Sequence, residues 1–220
     1  MKILLKYPTR SRPDLFKKRV SEWSEMASGE HELLWIVSAD EDDATMNNEE
    51  IKEFCKEKKV NIFFDKSNTK ISACNTNITK DGWDYLLLIS DDMVCVEKEW
   101  DKIVHNIFNG SKTGTIWFKD GLNHSLCTFC VMTNAYYNKF GYVYNPEYVS
   151  VYADNEFTIM AMLNQEMVIG EPSIVKHEWV GKELKDDLHN RNETNENYMK
   201  DKIVFDNHMR RIKFDNGAKI

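Results

Sequence analysis

Apolar runs and helical repeats alternate along the first half of the chain. Short apolar runs bounded by polar or turn-forming residues are typical of strands, and they occur at residues 2–7, 32–38, 60–64 and 84–89. The last of these runs is apolar almost throughout, as in a parallel strand that is buried on both faces. Between the runs, apolar residues recur at helical spacing, which predicts helices at residues 13–27, 48–58, 70–80 and 97–108.

The second half of the chain is less regular. Its pattern predicts strands at 113–118 and 126–133, a helix at 152–163, one or two short strands within 167–176 and a helix at 197–214. The alternation of strands and helices predicts an α/β fold, with a mostly parallel, doubly wound central sheet and flanking helices. We expect a single domain, with a ligand site at the carboxyl ends of its parallel strands.

The composition narrows the class of protein. The 220 residues include 29 Lys and Arg against 36 Asp and Glu, which gives a net charge of −7. Such an acidic chain is not suited to holding a long nucleic-acid duplex through a broad basic face. No apolar run reaches the roughly 18 residues of a membrane span, and the five Cys indicate reduced, buried thiols. We therefore expect a cytoplasmic protein without a membrane span.

Two adjacent carboxylates, Asp91 and Asp92, directly follow the most apolar predicted strand and Ser90. Adjacent carboxylates at a strand end are costly unless a cation compensates them, and their hard oxygen ligands suit Mg²⁺ or Mn²⁺. The alternative is a solvated turn before a helix. The dipeptide alone does not decide between these two interpretations.

Two further predicted strand ends carry polar residues. The loop at residues 8–13 contains Thr9, Arg10 and Arg12, which are able to bind a phosphate or a base, or to form a helix-capping turn with exposed Arg. Asp40 ends the second strand, where an acid can hold a ribose, although an acidic run is also typical of a solvated loop. Gly-rich phosphate loops are absent from the sequence, which argues against dinucleotide-binding and P-loop enzymes.

These features, in this order, resemble the GT-A glycosyltransferases, in particular family-two-like, nucleotide-sugar-dependent members of bacterial or viral type. The opening loop matches a Pro-Thr-Arg-x-Arg-Pro motif, and residues 70–75 match a Lys-x-x-x-x-Asn helix that precedes the metal strand. The Asp-x-Asp metal motif of that family appears as Ser90-Asp91-Asp92, with Ser90 in place of the first carboxylate. The residues that the resemblance implies for donor binding are Pro8, Thr9, Arg10, Arg12, Asp40, Lys70, Asn75 and Asp91.

The resemblance also implies roles for individual carboxylates and for one histidine. Asp92 becomes the main metal ligand, and Asp91 is expected to face the ribose or the donor sugar. His177 is the expected second metal ligand, with a satisfied or exposed histidine as the alternative. Asp154 matches the catalytic base of a late helix, and Glu156 is the reserve. Positions two apart on a helix point in different directions, so only one of these two is expected to face the site.

What the resemblance implies is a GT-A-like domain over residues 1–220, with nucleotide-sugar binding in 1–110 and acceptor binding in 111–220. It implies sugar transfer from a nucleoside-diphosphate sugar, with a UDP-sugar as the first expectation, to an acceptor hydroxyl. Mn²⁺ or Mg²⁺ would take part, and the transfer would be inverting. The acceptor is a saccharide or another hydroxyl compound, and the net charge does not favour a modified DNA base. A nucleotidyltransferase and a non-catalytic nucleotide-sugar-binding module remain as alternatives, and a viral chain would act in the host cytoplasm.

Overall fold

A seven-stranded sheet lies at the centre of the protein. The structure, a computed structural model, describes residues 1–66, 69–109, 114–121, 124–178 and 191–215, without the side chains of the last three. The strands of the main sheet are β1 (Lys2–Pro8), β2 (Glu32–Asp40), β3 (Val60–Asp65), β4 (Tyr85–Leu88), β6 (Thr115–Phe118), β7 (Val131–Thr133) and β8 (Met167–Gly170). A second, two-stranded sheet joins β5 (Met93–Cys95) to β9 (Val175–His177).

The main sheet is mostly parallel. Its order is β3-β2-β1-β4-β7-β6-β8. Strand β1 runs parallel to β2 and β4, β2 runs parallel to β3, and β6 runs parallel to β8, whereas β7 is antiparallel to both of its neighbours. The predicted α/β class with a mostly parallel sheet is therefore confirmed. The carboxyl ends of β1, β2 and β4 lie side by side at one edge.

Helices cover both faces of the sheet and bury two apolar clusters. They are α1 (Pro13–Glu25), α2 (Glu49–Glu57), α3 (Lys70–Asn75), α4 (Trp100–Phe108), α5 (Asn134–Phe140), α6 (Ala153–Leu163) and α7 (Asn195–Asp215). Because side chains alternate along a strand, Leu5 of β1 packs in the cluster under α1, and Leu4 packs in the cluster with α3 and α6. All five cysteines are free and buried, as predicted. No helix within the described ranges is long and apolar enough to cross a membrane.

Two predicted elements differ from the structure, and two observed elements were not predicted. The helix at 70–80 ends at Asn75, because Thr76 is extended and Asn77 has a positive φ of 63°. The strand at 126–133 is reduced to β7, and helix α5 follows it without having been predicted. Strand β5, which begins directly after Asp92, was also missed. The first predicted residue of the strand at 113–118 lies outside the described residues.

Helix α7 is fastened to the loop that precedes α6 by one buried carboxylate. Asp201 is fully buried and accepts hydrogen bonds from the backbone N–H groups of Val149, Ser150 and Val151, at 2.8, 2.7 and 2.8 Å. A carboxylate that receives three backbone donors fixes the path of those residues. The C-terminal helix therefore holds a loop that leads directly into α6.

Candidate active site

A cleft of about 330 Å³ lies at the carboxyl ends of β1, β2 and β4. This is the edge where a mostly parallel sheet is expected to bind a ligand. Ten of the residues predicted from the sequence line it, namely Pro8, Thr9, Arg10, Arg12, Asp40, Lys70, Asp91, Asp92, Asp154 and His177. The cleft therefore brings together groups from six separate parts of the chain.

Asp40 sits at the end of β2 between two arginines. Arg10 forms an ion pair with Asp40 and a second one with the exposed Asp42, at 2.6 Å. Arg191 approaches Asp40 from the C-terminal part of the chain, with 3.0 Å between Arg191 Nη1 and Asp40 Oδ2. Arg191 was not predicted as a site residue, since it lies in a polar stretch without any periodic pattern. This corner of the cleft combines one buried acid with two guanidinium groups.

Asp91 is turned into the protein. Its side chain accepts hydrogen bonds from Tyr7 Oη at 2.8 Å and from Thr9 Oγ1 at 3.0 Å, and Arg12 lies 3.6 Å away. Burial raises the pKa of Asp91 to about 7, although Tyr7, Arg12 and Thr9 favour the ionised form. We expected this carboxylate to face a ribose or a sugar. With 3% of its surface exposed, Asp91 joins the first loop to the end of β4 at the base of the cleft. Its contact with a ribose or a sugar stays a prediction.

Arg19 of α1 ties together the two segments that carry Asp92 and His177. Its side chain is almost fully buried, and its Nε donates to the backbone oxygen of Asp91 at 3.1 Å. Its Nη2 lies 3.2 Å from Glu178 Oε2, and the N–H of Glu178 donates to the backbone oxygen of Asp92 at 2.7 Å. The positions of Asp92 and His177 are therefore fixed by the main chain around them.

Asp92, His177 and Asp120 form a row of three polar side chains. His177 Nε2 lies 3.1 Å from Asp92 Oδ2, and His177 Nδ1 lies 2.9 Å from Asp120 Oδ2. Burial alone lowers the pKa of His177, but its contacts with Asp120 and Asp92 outweigh burial and raise the pKa to about 9. Burial likewise opposes ionisation of Asp92, and the hydrogen bond with His177 still lowers its pKa well below the ordinary value. Sequence reasoning missed Asp120, which lies outside any recognised motif.

The chemistry of this row fits a divalent cation with open coordination positions. An imidazole that faces a carboxylate through one nitrogen and a second, buried carboxylate through the other is arranged like a metal-binding histidine and its supporting acid. Asp92 and His177 offer one oxygen and one nitrogen ligand, which suits Mn²⁺. Within the described ranges, no group of three or more His, Cys, Asp or Glu side chains converges on one point. A cation held here would therefore complete its coordination with oxygens from a ligand or from water.

Asp154 lies in the first turn of α6 and faces the cleft. Burial raises the pKa of its carboxyl, while the nearby positive charges of Lys70 and His177 act in the opposite direction. Lys70 begins helix α3, with Thr69 as the capping residue. A carboxylate of raised basicity beside a lysine is suited to removing a proton from a bound hydroxyl.

Two predicted residues lie outside the described lining of the cleft. Asn75 is bound to the loop at 143–144, where its Oδ1 accepts from both backbone N–H groups at 2.9 and 3.0 Å. Glu156 is buried and accepts from Tyr148 Oη at 2.6 Å, and it lies 2.7 Å from His208 Nδ1. Glu156 therefore connects α6 to α7, whereas Asp154 is the residue of the pair that faces the cleft.

Three solved structures of other proteins have a similar architecture. S. aureus TarS matches with a TM-score of 0.62 and 15% identity, over 80% of this chain and 36% of that one. The mannosyltransferase PcManGT from Pyrobaculum calidifontis, in complex with GDP-Man and Mn²⁺, has a TM-score of 0.60 and 10% identity, over 83% and 57%. A mutant of Drosophila β-1,4-galactosyltransferase 7, in complex with manganese, UDP-Gal and xylobiose, has a TM-score of 0.56 and 12% identity, over 90% and 79%.

The fold is GT-A. This confirms the fold expected from the resemblance, and identities of this size establish nothing beyond the fold. A shorter TarS structure in complex with UDP-GlcNAc matches as well, with a TM-score of 0.61 and 16% identity, over 80% of this chain and 58% of that one. The chain thus spans between about a third and three fifths of the TarS structures. No family model and no curated protein matches the sequence.

Proposed function

We propose that the protein is a glycosyltransferase that moves a sugar from a nucleoside-diphosphate sugar to an acceptor hydroxyl, with a divalent cation and with inversion. The observation that carries the proposal is the joint position of Asp92, His177 and Asp154 in one cleft of a GT-A fold. Sugar transfer needs charge compensation at the leaving group and a base at the acceptor. Asp92 and His177, with a bound cation, are suited to the first task, and the carboxylate of Asp154 is suited to the second.

The donor is held between the ends of β1, β2 and β4. Asp40 would accept a hydrogen bond from a ribose hydroxyl, and its ion pairs with Arg10 and Arg191, which bring two guanidinium groups to the same part of the cleft, support this role. Asp92 and His177 would hold Mn²⁺ or Mg²⁺, which neutralises charge on a diphosphate when it is bound. Asp120 keeps the imidazole of His177 oriented towards Asp92. UDP-sugars are the first donors to test, because UDP-sugars occur in two of the structurally similar proteins.

Asp154 acts as the general base. Its carboxylate takes the proton of the acceptor hydroxyl while that oxygen attacks the anomeric carbon, and the nucleoside diphosphate leaves from the opposite side. A single displacement of this kind inverts the configuration at that carbon. Burial supports the role because it raises the pKa of Asp154 and so makes its carboxylate more basic.

The test is incubation with UDP-glucose, UDP-galactose, UDP-GlcNAc and GDP-mannose, with Mn²⁺ or with EDTA. We expect Mn²⁺-dependent release of a nucleoside diphosphate. Asp92→Ala should abolish it, whereas Asp14→Ala, at a carboxylate that is 95% exposed on α1, should leave it unchanged. Formation of pyrophosphate would instead support a nucleotidyltransferase, and binding without turnover a non-catalytic binding module. Unchanged turnover in Asp92→Ala would refute the metal assignment.

A further inference from the structure

The hydroxyl group of Ser150 is buried without a hydrogen-bond partner. Ser150 is 5% exposed and lines the cleft. Across the part of the chain that the structure describes, its Oγ is the only buried side-chain nitrogen or oxygen that lacks a partner. Buried polar groups almost always have a partner, and a hydroxyl without one at the wall of a binding cleft is a candidate ligand contact.

The backbone around Ser150 is held by hydrogen bonds to α7 and α3, so the residue keeps its place in the wall of the cleft. The N–H of Ser150 donates to Asp201 Oδ2 at 2.7 Å, and the residues on either side donate to the same carboxylate. The carbonyl oxygen of Val149 accepts from the N–H of Ile71 at 3.3 Å. A hydroxyl held in this way pays little conformational entropy when it binds a ligand.

Ser150 lies between the segments that carry Lys70 and Asp154. The contact of Val149 with Ile71 places the loop against the first turn of α3, where Lys70 lies. Helix α6, with Asp154 in its first turn, begins three residues after Ser150. The segments next to Ser150 therefore carry the proposed base and a lysine, and all three residues line the same cleft. The part of the cleft around Asp40, in contrast, is formed by the end of β2 together with Arg10 and Arg191.

We propose that Ser150 Oγ forms a hydrogen bond with a hydroxyl of the transferred sugar and so takes part in selecting the donor. The inference rests on the proposed function, because a base that takes the proton of a hydroxyl attacking the anomeric carbon must lie beside the transferred sugar. A serine hydroxyl both donates and accepts, which matches the chemistry of a sugar hydroxyl. A site that pairs with a substrate hydroxyl disfavours analogues that lack it.

The experiment compares the affinities of wild-type protein and Ser150→Ala for UDP alone and for the best-bound UDP-sugar, with Mn²⁺, by calorimetry. We expect Ser150→Ala to bind UDP as the wild type does, within about twofold, and to bind the UDP-sugar about tenfold more weakly. Ser72→Ala is the matched control, because Ser72 is exposed on α3 and lies outside the described lining of the cleft. This control should bind both ligands as the wild type does.

Deoxy analogues of the UDP-sugar identify the contact. One analogue that lacks a single sugar hydroxyl should bind the wild type about tenfold more weakly than the parent UDP-sugar binds the wild type. For Ser150→Ala, this analogue and the parent UDP-sugar should have equal affinities. Equal losses for UDP and UDP-sugar, or no loss at all, would overturn the inference and leave the proposed function intact. An effect only on KM for the acceptor would also overturn it. If the wild type binds neither UDP nor any nucleotide sugar, both the proposed function and this inference fail.

Discussion

Asp154 is the residue on which the proposed chemistry depends most directly. Asp154→Asn keeps the shape of the side chain and removes its basicity, so we expect turnover to fall by about 10²–10⁴-fold while UDP-sugar affinity changes little. Steady-state kinetics and calorimetry measure the two quantities. Glu156→Gln is the comparison, since Glu156 lies outside the cleft. Loss of turnover in Glu156→Gln with normal turnover in Asp154→Asn would reverse the assignment.

His177 should make the stability of the metal-free protein depend on pH. Its pKa is raised from 6.5 to about 9, so its protonated form stabilises the fold fully below pH 6.5, and this stabilisation is lost as the pH rises through 9. At 1.36 kcal/mol for each pH unit, the full contribution is roughly 3 kcal/mol. In urea unfolding with EDTA, His177→Gln should have a much lower free energy of unfolding than the wild type near pH 6 and only a slightly lower one near pH 10. His124→Gln, at an exposed histidine, is the control. A loss of stability in His177→Gln that does not change with pH would contradict the pairing of His177 with Asp92 and Asp120.

The sequence predicted site residues where they follow a strand end or open a helix. Asp40, Asp92 and Asp154 stand at such places, and parallel strands bring their ends to one edge. Asp120 also follows a predicted strand but matches no motif, and Arg191 lies in a polar stretch without a periodic pattern. Their positions depend on how the second half of the chain returns to the sheet, and no local pattern encodes that path.

At the scale of elements, Asn75, the last residue of α3, shows how one side chain can hold a distant loop. Its carboxamide accepts from the N–H groups of Val143 and Tyr144 and donates to the carbonyl oxygen of Tyr144 at 2.6 Å. Asn75→Ala leaves these backbone groups without partners and should lower the free energy of unfolding by about 2 kcal/mol. Asn61→Ala, at an exposed position of β3, should change it by less than about 0.5 kcal/mol. If chemical denaturation gave the same free energy of unfolding for both variants, the hydrogen bonds of Asn75 would contribute nothing to stability.

Helix α5 was missed although its two ends carry recognisable signals. Thr133 accepts from the N–H of Tyr136 at 3.2 Å as the N-cap, and Gly141 ends the helix with a φ of 77°. The helix between them has only seven residues, which is too short for a helical repeat to stand out. The predicted strand before it ended at the right residue, Thr133, and was too long at its start. Capping residues are better guides to short helices than periodicity.

At the scale of the whole molecule, strand and helix alternation was enough to predict the class of fold. It did not predict the antiparallel insertion of β7 between β4 and β6, because strand direction depends on the course of the chain between strands. The same limit applies to α7. Its sequence predicted a helix, but not its role in fastening the loop at 149–151.

Loss of the three hydrogen bonds to Asp201 should lower the stability of the whole protein. Asp201→Ala leaves three backbone donors without their acceptor, and we expect the free energy of unfolding to fall by about 3 kcal/mol. Asp206→Ala is the matched control on the same helix, because Asp206 pairs only with the partly exposed Lys202 among the contacts described. Thermal unfolding should show a clear drop in Tm for the first variant and almost none for the second. The reverse order would exclude the role given to Asp201.

The Asp201 contacts also bear on the order in which the protein folds. They join residues that are 50 to 52 positions apart, so they form only after a long loop has closed. Contacts that form after the rate-limiting step affect the rate of unfolding more than the rate of folding. Asp201→Ala should therefore shift mainly the unfolding limb of a chevron plot. The pairing of β1 with β2 and of β2 with β3, which joins residues 30 and 25 positions apart, would form before the wall that carries Ser150 closes.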